Sequence, residues 1–137
     1  MARILIIEDN PANMKLASLL LLKVGHTVLC ATDAETGLTM ARADQPDLIL
    51  MDIQLPGMDG LAATALLKED AMTATIPIIA LTAMAMKEDQ EKTRAAGCDA
   101  YIAKPLRYQE LYEVIDAFLA RRNIEAAGEK NLFDLLP

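Results

Sequence analysis

Five short apolar runs, four of them closed by a polar or charged residue, constrain this chain more than any other feature. The clearest is Pro46-Asp47-Leu48-Ile49-Leu50-Met51-Asp52, where a breaker, four consecutive apolar residues and a single aspartate follow one another. Such a run reads as a strand buried on both faces. Arg3-Ile4-Leu5-Ile6-Ile7 ends in Glu8-Asp9, Ile78-Ile79-Ala80-Leu81 ends in Thr82, and Ala100-Tyr101-Ile102-Ala103 ends in Lys104-Pro105. Thr27 to Ala31 supplies the remaining strand. Between them lie stretches of helical period. Strands alternating with helices predict a parallel sheet covered on both faces.

The helix signals are local. Asn10 before Pro11 is an N-cap followed by proline at the first helical position. That helix is expected to run to about Val24, with Gly25 beyond its end and Met14, Ala17, Leu20, Leu21 and Val24 on its core face. Thr32 with Glu35 has the capping-box spacing and opens a second helix that ends before Pro46. A third is predicted over roughly Leu61 to Glu69 and a fourth from Met86 to Ala96, stopped by Gly97. The last, near Arg107 to Arg122, aligns Leu111, Val114, Ile115, Phe118 and Leu119 on one face. Residues 1–122 form one domain. Residues 123–137 form an extension, flexible or a short helix, with an apolar cluster at Leu132, Phe133, Leu135 and Leu136.

Composition narrows the function classes. A hydrophobic fraction of 53% and a mean hydropathy of +0.22 exclude a disordered chain, and 137 residues can bury roughly 70% of their unfolded surface. No apolar run, Leu19 to Leu22 included, exceeds four residues, far too short to span a membrane, and no export signal opens the chain. Two distant cysteines, Cys30 and Cys98, suit a reducing cytoplasm. With a net charge of −7, direct binding to nucleic acid is not expected.

In a parallel sheet the strand ends share one edge, so Glu8, Asp9, Asp52, Thr82 and Lys104 converge. Taken singly, an aspartate after a strand is commonly a cap, and an acidic pair before a helix favours its dipole. The conjunction is what carries meaning. Crowded carboxylates call for a cation, and oxygen-only ligands with few protein groups suit Mg²⁺. Lys104 and the Thr82 hydroxyl suit a tetrahedral anion. A carboxylate beside Mg²⁺ with those two groups describes formation of an aspartyl phosphate.

Ile6-Ile7-Glu8-Asp9-Asn10, Leu50 to Pro56, Leu81-Thr82-Ala83 and Tyr101-Ile102-Ala103-Lys104-Pro105 resemble the four signatures of the response-regulator receiver domain. Asn13-Met14-Lys15-Leu16 and Met84-Ala85-Met86-Lys87 most resemble stand-alone, cell-cycle-type regulators; a receiver cut from a hybrid kinase or a phosphorelay intermediate is the alternative. The resemblance implies a flavodoxin-like doubly wound sheet, order 2-1-3-4-5, with five helices. It implies Asp52 as phosphoacceptor, and Mg²⁺ held directly by Asp9, Asp52 and the main-chain carbonyl of Gln54, with Glu8 acting through water. Thr82, Ala83 and Lys104 would bind the phosphoryl oxygens, Thr82 and Tyr101 would form the switch, and the Lys104-Pro105 bond would be cis. Partners would be a histidine kinase or histidine phosphotransferase and a downstream protein, in the cytoplasm, with self-phosphorylation and autodephosphorylation but no enzymatic turnover. Gln54 and Met84 occupy positions that tune phosphate lifetime in the family.

Leu16, Leu19 and Leu22 fall off the core arc of the first helix. They are either scattered exposed leucines or part of a docking face for the phosphoryl donor, which would include Asn13, Leu16 and Leu106. His26, without a metal-spaced companion, reads as a surface turn residue. A hydrolase with the same nucleophile would want an acid at position 54, which is Gln. A nucleotide carrier would want a phosphate loop where Glu8 to Ala12 stand.

Overall fold

The computed structural model describes residues 1–83 and 86–127, with side chains to residue 121. The tail cluster at Leu132 to Leu136 and Met84 lie outside the described residues. Five strands, β1 (Arg3–Ile7), β2 (Thr27–Ala31), β3 (Leu48–Asp52), β4 (Ile78–Thr82) and β5 (Ala100–Ala103), form one sheet in the order β2-β1-β3-β4-β5. Every pair is parallel. Five helices alternate with them: α1 (Pro11–Lys23), α2 (Ala34–Asp44), α3 (Gly60–Glu69), α4 (Lys87–Ala96) and α5 (Tyr108–Ala127).

Successive residues of β1 and β3 serve opposite faces, as the pleat requires. Ile4, Ile6, Leu48 and Leu50 join Leu81 and Ile102 in a core closed by Ala17 and Leu21 of α1 and Leu111 and Ile115 of α5. Leu5, Ile7, Ile49 and Met51 face the other way, against Ala34 and Ala41 of α2 and Ala63 and Leu67 of α3. β3 and β4 are buried along their whole length. That explains why they are unbroken apolar runs rather than alternating ones.

Four local expectations change. The cap of α2 is Asp33, whose carboxylate accepts the Thr36 N–H at 2.7 Å, so Thr32 and Glu35 form no capping box. Val24 is the C-cap of α1 and is exposed, not part of the core face. α5 continues to Ala127, past Arg122. His26 is not a surface residue: it is 9% exposed, and its Nδ1 accepts the Ala2 N–H at 3.2 Å. A buried imidazole with a backbone partner fixes the start of β1 against the α1–β2 turn.

Elsewhere the local signals hold. The Asn10 side chain caps α1 by accepting the Asn13 N–H at 3.0 Å. Gly97 ends α4 at φ 107°, a left-handed conformation that glycine takes at no steric cost. Leu16, Leu19 and Leu22 are exposed, and Leu111 and Ile115 of α5 are buried with Val114, Phe118 and Leu119 beside them.

Candidate functional site

The site is assembled at the carboxyl edge of the sheet. Glu8 continues the β1 ladder by one bond, donating its N–H to Ala31 O at 3.0 Å, and is fully buried. Its two carboxylate oxygens have separate partners. Oε2 accepts the Asn10 N–H at 3.2 Å, and Oε1 accepts from Lys104 Nζ at 2.8 Å. Asp52, the last residue of β3, is 3% exposed. Its Oδ1 accepts the Gln54 N–H at 3.0 Å and lies 3.3 Å from Lys104 Nζ. Asp9 stands exposed at the rim. One carboxylate oxygen from each of Glu8, Asp9 and Asp52 lies within 4.8 Å of the others.

Lys104 reaches this cluster because its own backbone is tied down. Its N–H donates to Thr82 O at 2.8 Å, and the following bond to Pro105 is cis, as the family pattern implied. Thr82 is buried at the end of β4, with Ala83 exposed just beyond. Tyr101 on β5 is 39% exposed. Asn13 is half-buried and Leu16 exposed on α1, while Leu106 is half-buried after β5 and packs against the core. α1 and the segment after β5 both start from the edge that carries Asp52, so Asn13 and Leu106 flank one rim.

Burial, and then the Glu8 carboxyl facing it, push the Asp52 carboxyl up to about 7, against the opposing pull of the Gln54 N–H and Lys104. Burial also pushes Glu8 up. Contacts with Asp52, Lys104 and the Asn10 N–H outweigh it and hold Glu8 below the usual carboxylate range. For Lys104, burial is outweighed by the two carboxylates, and its ammonium is held above its ordinary value. In the metal-free cluster Asp52 is therefore the carboxyl that ionises last. Like-charged groups this close cannot all ionise without a compensating cation. The donor set is all oxygen, so a small hard ion fits it.

In the sequence Gly60 is only the residue before the expected third helix. The structure gives it a contact at the site: its N–H donates to Ile53 O at 3.0 Å. A methyl group there would fall on the Asp52 carbonyl oxygen and come within 2.8 Å of Ile53 Cα. The available signal was Asp59-Gly60 at a helix start, but the close approach is a tertiary fact.

Three carboxylates and a lysine thus meet at the carboxyl edge of a doubly wound parallel sheet. The family model for the response regulator receiver domain matches residues 4–116. A polar-differentiation response regulator of Brucella anthropi, DivK, is 45% identical over 116 residues, covering 85% of this chain and 94% of that protein. Among solved structures, the receiver domain of a sensor histidine kinase from Pseudomonas aeruginosa, with magnesium coordinated in its active-site cleft, aligns with a TM-score of 0.82. It has 34% identity and covers 87% of this chain and 98% of its own. A response regulator receiver domain protein of Methanospirillum hungatei aligns with a TM-score of 0.84 and 30% identity, covering 91% and 98%. The chain belongs to the response-regulator receiver family of two-component signalling. No described helix is long and apolar enough to cross a membrane.

Proposed function

We propose that Asp52 accepts a phosphoryl group from the phosphohistidine of a kinase or phosphotransferase, in a Mg²⁺-dependent step. The observation that carries this reading is the meeting of Glu8, Asp9, Asp52 and Lys104 at one sheet edge. Glu8, Asp9, Asp52 and the Gln54 carbonyl would hold the metal. When bound, Mg²⁺ supplies the positive charge that offsets the crowded carboxylates and the phosphoryl oxygens.

An ionised Asp52 oxygen forms a bond to phosphorus while the phosphorus–nitrogen bond of the donor breaks. The electron pair leaves with the imidazole, which takes up a proton from water. Gln54 N–H, 3.0 Å from Oδ1, orients the carboxylate for attack. Lys104 Nζ, already within 3.3 Å of Asp52, meets one oxygen of the incoming group, and the Thr82 hydroxyl and Ala83 N–H meet the others. Thr82 then moves toward the phosphate and Tyr101 turns inward. This changes the face of α4, β5 and α5, where a cleft of about 610 Å³ is lined by Gln90, Arg94, Tyr101 and Glu110. Such a local charge event biases a two-state element.

The output is then a change of protein contacts or onward phosphotransfer in the cytoplasm, without turnover on an external substrate. Identity of 45% to the Brucella regulator, against 34% to the receiver domain of the Pseudomonas sensor kinase, supports a stand-alone regulator over a hybrid-kinase receiver. Incubation with acetyl phosphate tests the reaction. Labelling should require Mg²⁺ and disappear in Asp52→Asn; label that persists in that variant overturns the assignment.

A further inference from the structure

We infer that Gly60 and Thr64, on the first turns of α3, are positioning residues for the metal site. The inference rests on the proposed Mg²⁺ site, with the Gln54 carbonyl as one of its ligands. Gln54 lies in a short segment between β3 and α3 whose exposed side chain anchors nothing among the described contacts. Its neighbours are held from behind, by α3. Gly60 N–H donates to Ile53 O at 3.0 Å, and the helix sits so close that only a residue without Cβ clears the Asp52 carbonyl.

Gly60 is itself held. Thr64 is fully buried, and its hydroxyl donates to Gly60 O at 2.8 Å while accepting from Cys98 Sγ at 3.7 Å. The Asp59 carboxylate, accepting the Ala62 N–H at 2.8 Å, fixes the same turn. A chain of contacts therefore runs from the α4–β5 junction at Cys98, through Thr64 and Gly60, to the Ile53 carbonyl, next to the residue whose oxygen serves as ligand. A main-chain ligand has no rotamer to adjust, so its place depends wholly on what fixes the backbone around it. Partners that orient a metal ligand commonly change metal affinity by about 10- to 100-fold when removed.

The test is a Mg²⁺ titration of the intact chain, followed by the amide resonance of Gln54. Thr64→Val deletes the hydroxyl at nearly constant shape, Thr64→Ser restores it, and Gly60→Ala crowds the Asp52 carbonyl. Thr64→Val should move the Gln54 resonance in metal-free protein and weaken Mg²⁺ binding by about 10-fold, with Thr64→Ser close to wild type. Gly60→Ala should weaken it at least as much. Equal Mg²⁺ affinity in Thr64→Val and Thr64→Ser overturns the inference while leaving the metal site standing. No Mg²⁺ response in the wild type overturns the site reading and the inference together. The Thr64 pair decides the matter even if Gly60→Ala does not fold.

Discussion

Replacing Asp52 by Asn should stabilise the metal-free fold at neutral and alkaline pH. The Asp52 carboxyl rises from 3.8 to about 7, chiefly through burial and the facing Glu8. A carboxyl that is harder to ionise in the fold than in the unfolded chain keeps its proton longer when folded. Its cost is absent below the unfolded value and grows as pH rises from 3.8 to about 7, after which it is constant. The shift of about 3 units at about 1.4 kcal/mol each gives about 4 kcal/mol at the plateau. Between pH 5 and pH 8 the growth is about 2–3 kcal/mol, a large fraction of the 5–15 kcal/mol typical of a domain. The Asn amide has no charge to bury, and Lys104 keeps Glu8 at 2.8 Å. Urea unfolding in the presence of a chelator measures this directly. The stability difference between variant and wild type should widen by about 2–3 kcal/mol from pH 5 to pH 8. Adding Mg²⁺ should stabilise the wild type more than the variant, by mass action. A difference that stays constant across that range would refute the placement of a buried proton on Asp52.

Two further outcomes follow from other parts of the molecule. Asp33→Ala removes the cap of α2 and should lower stability by about 1 kcal/mol, read by thermal or urea unfolding, whereas Thr32→Ala should be near neutral. Leu16→Glu, at a position 42% exposed on α1, should slow transfer from a phosphohistidine donor while leaving labelling by acetyl phosphate unchanged; equal slowing of both reactions removes α1 from the docking face.

The helix caps show where local reading succeeds and where it fails. Asn10-Pro11 was legible because both residues act within one turn of themselves. At the start of α2, Thr32 and Asp33 compete for the same role, and the choice depends on where the chain leaves β2. His26 illustrates the same limit. Its burial depends on the first residues of β1 passing across the α1–β2 turn, a contact between positions 24 apart. Gly60 was visible only as the residue before a helix, and its tolerance for no side chain depends on how closely α3 lies over β3.

A parallel sheet covered on both faces, with its candidate site residues along one edge, was legible in the sequence itself, whereas the strand order came only through the resemblance to receiver domains. Unbroken apolar runs must be buried on both faces, parallel connections place every strand end at one edge, and a polar residue closing such a run has nowhere else to go. Tertiary structure alone decided the site's charge state and its geometry. Glu8 and Lys104 are 96 residues apart and meet at 2.8 Å. Only that meeting, together with the burial of Asp52, determines which carboxyl keeps the proton. Burial and proximity are properties of the packed chain, and no local pattern encodes them.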